Sequence, residues 1–588
     1  MRKKSKWLAA VLAAAMVLSC AACGNSSAGT ASTEGAQESA GKNDGESSSD
    51  TLVVDVFTGV GNFQGTQGGW FGKLVKDKFN IELNLIAPNV AGGGDTLYQT
   101  RSAAGNLGDI IIIKKDKLKD CIDAGIIYDM TDLMKNSTYL KQFEVAINGY
   151  KEYAQTDRVY GIPTNASLQS PLTPNAYALN PQNGSYMRWD YYKELGCPEM
   201  EDYDDMLDVL KQMQDAHPTS DAGTKTYAFS LFKDWDGSYM KIPINMVYFY
   251  GWGEGSGFVL KNGDATKTQL VTEDEGAYYQ ALKTLFKANQ MGLVDPDSST
   301  QNWDSLVQKV KDGAVLFSTW PWASADHFNT AEKAAEGIGF AYVPVADQKL
   351  YMDGLNPYGS DNNIIAMGAG VKDPERIFAF LDWMASPEYV NCLETSMGPE
   401  GYAWEMKEDG PVLTEYGKAY LNDKSGMLAP DELGGGNFYD GFSKMNTSIQ
   451  VYNDINPETG ESYMSSVWPS TLKEGRSRLD EEWSEAFGYE NALEYIEAKN
   501  MLEVGPGSDY TAPADSSDIA NKRKQCGDLI VSTSWKMVFA KDEAEFEELW
   551  KNMKADLTGY GYEDVVAVDR EVAEGFREAR ARSLKDAQ

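Results

Sequence analysis

Three apolar runs decide the fold class. Thr51-Leu-Val-Val-Asp-Val-Phe57 reads as a buried strand, and Ile81-Glu-Leu-Asn-Leu-Ile86 as a second with clean alternation. Asp109-Ile-Ile-Ile-Ile113 is apolar on both faces, as a strand covered on two sides of a parallel sheet must be. Between the first two, Trp70, Phe71, Leu74, Val75 and Phe79 recur at helical spacing. This β–α–β alternation predicts an α/β lobe with a parallel or mixed sheet.

A second body follows. At 588 residues the chain exceeds what one core can organise, so at least two domains are expected. Met206, Leu207, Leu210 and Met213 form one helical face, and Ala314–Ser318 reads as a strand. Asp373-Pro374 opens a helix with a capping residue and a proline at its first position, and Ile377, Phe378, Leu381 and Met384 supply its buried stripe. Phe546, Leu549, Trp550, Met553 and Leu557 mark another amphipathic helix, and the charged tail from Asp569 reads as a solvated or surface-packed end.

The N-terminal stretch reads as an address. Arg2, Lys3, Lys4 and Lys6 precede an uncharged run from Trp7 to Ala22, the layout of a secretory signal peptide over residues 1–22. It ends in Ala21-Ala22-Cys23-Gly24, which resembles a lipobox, with Cys23 as the expected lipidated residue and Cys20 as a competing position. Residues 24–50 contain no Val, Ile, Leu or aromatic residue, so 23–50 is expected to be a disordered tether with a reach of about 30 Å.

Much chemistry is disfavoured. Only His217 and His327 are available as imidazoles, although histidine is the usual general base and the commonest metal ligand. No HExxH, GxSxG, GxxxxGK[ST] or complete GxGxxG occurs. A formal charge of −35 opposes nucleic acid as a partner. Cys121, Cys197, Cys392 and Cys526 are widely spaced without a CxxC pair, which reads as free buried thiols. No catalytic residue, metal or cofactor is assigned.

Aromatic residues instead crowd segments rich in Gly, Pro and Asn. They occur in Gly68–Gly72, Tyr250–Gly257, Ser318–Trp322, Asn356–Asn363 and Gly401–Glu405. Taken singly, each tryptophan suits core packing. Taken together, they suit stacking on the C–H faces of sugar rings, with amides and carboxylates bonding the hydroxyls.

Five further segments, in order, carry a resemblance. They are Gly108–Ile112 followed by Asp123–Leu133, Tyr160-Gly-Ile-Pro163, Met187–Gly196, Gly398–Tyr402 and Pro411–Gly417. The chain resembles the family 1 extracellular solute-binding proteins, the capture components of ABC sugar importers, and within them the large lipoprotein branch of Gram-positive bacteria. That resemblance implies a two-lobe, periplasmic-binding-protein-like (type 2) α/β fold, with an interlobe ligand cleft and hinge crossings. The lobes would comprise 51–165 and 351–398 for the first, and 166–350 and 399–588, with a C-terminal helical region, for the second.

The resemblance also implies a monomer held to the outer face of the cell membrane, delivering an oligosaccharide to permease subunits. Phe57, Thr58 and Trp70 would line the first lobe, and Trp252, Trp320, Trp322 and Trp404 would stack from the second. Tyr358 would close over the sugar. Arg188 and Asp190 stand where polar contacts are expected, and equally suit a salt bridge at a helix start. The segment 214–224 retains Asp215 and Asp221 but lacks the dense oxygen donors of a calcium loop. A peptide or uronide ligand, or a surface glycosidase, are the alternatives.

Overall fold

The computed structural model describes residues 51–586, except 89, 91–93, 177–178, 360–361 and 425. The expected leader, Cys23 and the tether lie outside the described residues. Strand β1 (Leu52–Thr58) is followed by helix α1 (Gly69–Phe79), β2 (Ile81–Ile86) and β3 (Ile110–Lys114). β1 pairs in parallel with β2 from Leu52↔Ile81 to Phe57↔Ile86, and with β3 from Val56↔Ile110 to Thr58↔Ile112. The three apolar runs thus become the centre of a six-stranded sheet. Trp70, Phe71 and Val75 of α1 are buried against it.

The chain then crosses to a second core and forms β4 (Tyr186–Arg188), helix α2 (Tyr203–Ala216), β5 (Phe317–Ser318) and β6 (Phe340–Tyr342). β5 and β6 flank β4, both antiparallel. Met206, Leu207, Leu210 and Met213 face this core as their spacing predicts. The strand expected over 314–318 is shortened to two residues. The N–H groups of Leu316 and Phe317 bond the carbonyls of Tyr227 and Ala228 (2.9 and 3.1 Å), so the earlier residues run beside another segment.

A return crossing leads to β7 (Asn363–Met367), antiparallel to β3, and to helix α3 (Pro374–Trp383). Asp373 caps α3 by accepting from the Arg376 N–H. The expected lobe boundaries need correction on both sides of this segment. Leu350–Asp353 pairs in parallel with Leu502–Gly505, and Leu350 belongs to the second core. Residues beyond 398 do not leave the first lobe at once: Trp404, Tyr420, Phe438, Phe442, Ile449 and Trp468 pack in the core of β1 and α1. The cause is aromatic. Trp70 stacks on Phe438 at 5.7 Å and meets Phe442 edge-on at 4.8 Å.

Three crossing segments are bonded to one another. Ala166 donates to the Ile449 carbonyl (2.8 Å) and accepts from the Val451 N–H (3.0 Å), while Ser167 donates to Asn356 (2.9 Å). Asn175 donates to Asp353 (2.9 Å) on the same ribbon. Few side chains are fixed by such narrow links, which is how a hinge between two packed bodies is built.

Helix α4 (Pro469–Gly475) follows Trp468, and the next helix, α5 (Arg478–Phe487), places Leu479 and Trp483 in the second core. The C-terminal helices are α6 (Ser517–Val538), α7 (Glu543–Gly559) and α8 (Tyr562–Asp586). Phe546, Trp550, Met553 and Leu557 of α7 are buried in the second core, as expected. The charged tail forms α8, which packs on the second body, with Asp569, Arg580 and Ser583 buried in that contact. Asp569 accepts from the Phe258 N–H (2.7 Å) and pairs with Arg523, while Arg580 donates to the Gly263 carbonyl (2.6 Å) and the Tyr351 hydroxyl (2.6 Å). The helix is docked through buried polar groups that hydropathy alone does not register.

Candidate functional site

Beyond β5 the chain turns through Ser318-Thr-Trp320-Pro-Trp322. The Ser318 hydroxyl accepts from the Trp320 N–H (3.1 Å), and Ser324 Oγ donates to the Trp320 carbonyl (2.8 Å). This tight turn stacks Trp320 on Trp322 at 4.9 Å and 25°. A second stacked pair, Trp235 and Trp303, lies at 4.6 Å and 26°. Trp303 begins a helix capped by Asn302, and its N–H donates to Asp234 Oδ2 (2.8 Å). Trp235 and Trp303 approach Trp322 at 5.8 and 5.7 Å, so four indoles form one cluster. Trp235 is 40% exposed, and no other tryptophan among the described residues is exposed.

Burying that much aromatic surface is favourable, and leaving an indole in water forgoes part of the gain. The polar groups around the cluster add to the argument. Trp320 Nε1 and Asn245 Nδ2 both donate to Asn183 Oδ1 (3.0 and 2.9 Å). Asn183 belongs to the segment that leads from the first crossing into β4. Asn245 Oδ1 and Thr319 Oγ1 are buried with no protein partner, a condition that native structures relieve with water or ligand.

A pocket of about 490 Å³ is lined from the first lobe. Asn62 and Phe63 follow the C-terminal end of β1, where α/β sheets place their ligands. Asn165, Asn446 and Tyr452 come from the crossing segments and their approaches, with Lys444 beside them. Asn446 Nδ2 donates to the Val60 carbonyl (2.7 Å), and Lys444 pairs with Glu394 at 2.6 Å. Amides of Asn62, Asn165 and Asn446 and hydroxyls of Ser443, Thr447 and Ser448 are among its lining, and such groups suit hydroxyl-rich ligands.

Of the residues singled out in the sequence, the structure brings Trp320 and Trp322 together. Arg188 is 2% exposed and serves architecture: it forks onto Asp190 (2.6 and 3.0 Å), and its guanidinium lies 4.1 Å from the Tyr191 ring and 4.4 Å from Phe328. Trp70, expected to line the first lobe, is a core residue whose Nε1 bonds the Phe438 carbonyl (2.9 Å). Trp404 is likewise buried, donating to the Gly398 carbonyl (2.9 Å) beside Trp468. Phe57 and Thr58 are fully covered, with Thr58 Oγ1 on the Met445 carbonyl (3.2 Å).

Tyr358 turns to the C-terminal helix, its hydroxyl on Asp586 (2.6 Å). Trp252 is half-buried against the second core and joins none of the quartet's ring pairs. Trp235 and Trp303 are not among the residues singled out in the sequence, although Phe232-Lys-Asp-Trp235-Asp-Gly237 has the same aromatic-near-glycine character.

The remaining reactive groups are engaged or covered. His217 stacks on Tyr191 at 3.6 Å and meets Glu194 at 2.6 Å. Cys121, Cys392 and Cys526 are buried and Cys197 is half-buried, all four as free thiols. Burial raises each thiol above its ordinary pKa, which suppresses thiolate reactivity. Among the described residues no group of three His, Cys, Asp or Glu side chains is arranged to hold a metal ion.

Known proteins share this architecture. The chain is 23% identical to "Lipoprotein LipO" of Bacillus subtilis over 445 residues, covering 72% of this chain and 79% of the relative. An HMO-binding, ABC-transporter-associated solute-binding protein from Bifidobacterium longum infantis superposes with a TM-score of 0.57 at 15% identity, over 90% of this chain and 99% of that one. The substrate-binding protein FusA of S. pneumoniae, solved with kestose, gives 0.50 at 13% identity, over 90% and 99%. These likenesses show the two-lobe fold. The model of the bacterial extracellular solute-binding proteins matches residues 62–391, and the chain belongs to that family.

Proposed function

We propose that this protein is the capture component of an ABC importer for a carbohydrate, an oligosaccharide of several rings, and that it works without catalysis. The exposed Trp235 face of the indole quartet carries the reading: a flat apolar surface fits the C–H faces of sugar rings. The pocket on the first lobe, with the amides of Asn62, Asn165 and Asn446 in its lining, offers partners for hydroxyls.

A ligand that touches both lobes binds the closed arrangement better than the open one. It therefore shifts the population about the hydrogen-bonded crossings. Permease subunits would read the closed shape. Arg188 and Lys444 are committed to Asp190 and Glu394, so neither is free to pair with a uronide. Lipid attachment at Cys23 would keep a monomeric trap beside its permease on the outer face of the membrane.

Titration against a panel of neutral and acidic oligosaccharides tests the reading. Saturable binding with a change in tryptophan fluorescence and no new reducing ends supports it, and turnover overturns it. Replacement of Cys23 by Ser should release the protein from membranes.

A further inference from the structure

The last two turns of α8 carry Arg580, Arg582, Ser583 and Asp586, and their side chains spread over one ribbon. Ser583 Oγ donates to the Gly507 carbonyl (2.5 Å) and Arg582 to Asp509 Oδ1 (2.5 Å), while Asp586 Oδ2 accepts from the Tyr358 hydroxyl (2.6 Å). The ribbon is itself tied to two of the crossings. The Gly507 N–H donates to the Pro171 carbonyl (3.0 Å), and Asn356 Nδ2 donates to the Ser508 carbonyl (2.8 Å).

The first lobe meets the same two side chains that α8 holds. A Cβ on Gly149, in the first-lobe helix Glu144–Ala154, would lie 3.5 Å from the Tyr358 ring and 3.6 Å from Asp509 Oδ2. Lys115, which follows β3, is buried, with its ammonium 4.7 Å from the Tyr153 ring and 5.3 Å from Tyr150. Burial lowers that ammonium below the ordinary lysine value, Asp509 draws it up and Arg582 pushes it down again. The lysine therefore feels both members of the Arg582–Asp509 pair. A helix rooted in the second core by Val565, Val566 and Ala573 thus reaches the first lobe through Tyr358 and Asp509.

We propose that the last two turns of α8 are a strap between the lobes, which holds them facing each other from outside the ligand site. None of Tyr358, Asp509, Arg582 and Asp586 lines the cavity between the lobes or the first-lobe pocket. An exposed ion pair and a single hydrogen bond are each weak, which suits a device that biases an equilibrium without locking it. Strapped lobes lose less freedom when a ligand joins them, so the strap raises affinity. That consequence rests on the capture reading, whereas the strap itself does not.

The test compares the whole protein with Tyr358→Phe/Arg582→Gln and with Arg577→Gln, a control on the same helix whose ion pair is local to Glu574. Nitroxides on Lys135→Cys and Lys524→Cys, whose native side chains are 71% and 73% exposed, report the distance between lobes without ligand, in a Cys197→Ser background. The double variant is expected to broaden that distance towards longer values and to weaken oligosaccharide binding at least threefold, with the control as wild type. If its melt is lowered, Arg582→Gln alone carries the test. Distances as in the wild type, an equal shift in the control, or a shift without loss of affinity overturns the proposal. If no glycan binds the wild type, the capture reading fails and the distances alone decide the strap.

Discussion

Trp320 donates its indole N–H to Asn183 Oδ1 at 3.0 Å, tying the stacked turn after β5 to the segment that enters the second lobe. Asn245 shares the same acceptor. Asn183→Ala would strand two buried donors, each costing about 1–3 kcal/mol. Denaturant unfolding should show a loss of about 2–4 kcal/mol, with the m-value unchanged.

Trp235→Ala separates stacking from folding. Its side chain is the most open of the quartet, so stability should change by less than about 1 kcal/mol. Oligosaccharide affinity should fall about tenfold or more, roughly 1.4 kcal/mol. Trp320→Ala, at 5% exposure, should cost about 3–5 kcal/mol of stability in addition to affinity. Calorimetric titration paired with melts distinguishes the two.

Asp190→Ala leaves the Arg188 guanidinium buried without its counter-charge. A loss of about 3–5 kcal/mol is expected, while ligand affinity of the folded protein stays as in the wild type. The paired replacement Arg188→Met with Asp190→Leu should be milder, because it removes both charges together. Urea titration with ligand binding on the same samples checks both points.

Lys261 gives a pH signature. Burial and the neighbouring Arg580 cation lower it from the ordinary lysine value of 10.5 to about 7, against the pull of Asp353 and Glu254. Its ammonium group donates to the Glu254 carbonyl and faces the Phe576 ring. From pH 7 towards 10.5 the unfolded chain binds more protons than the folded one, so this residue makes stability rise with pH. Lys261→Met should raise stability at pH 6–7 and flatten the rise between pH 7 and 9.5. Unfolding curves of both proteins at several pH values measure the difference.

The fold was legible where hydrophobic periodicity had only one reading. Ile110–Ile113 has no polar face and can only be a covered strand. The first-lobe membership of residues 399–449 was hidden because Phe438 and Phe442 sit in a loop and meet Trp70 only through tertiary contact. Burial of Asp569 and Arg580 was hidden for a related reason: charged residues enter a core when specific partners await them, and those partners lie hundreds of positions away. At the site, the rule that aromatic residues in segments rich in Gly, Pro or Asn stand apart from the core singled out Trp320 and Trp322, which the structure stacks on each other. The same rule failed for Trp70, where Gly69 permits a close approach to the Gly441 backbone, and for Trp404, which is buried beside Trp468. At Gly441 an added Cβ would lie 2.1 Å from the Trp70 ring.

The most direct measurement is calorimetric titration of wild-type and Trp235→Ala protein against a panel of neutral oligosaccharides, with reducing ends assayed in the same samples. The account predicts one-site binding of at least one glycan by the wild type, about tenfold or greater weakening in the variant, and no new reducing ends. Cleavage of the glycan, or equal affinity in the two proteins, would contradict it.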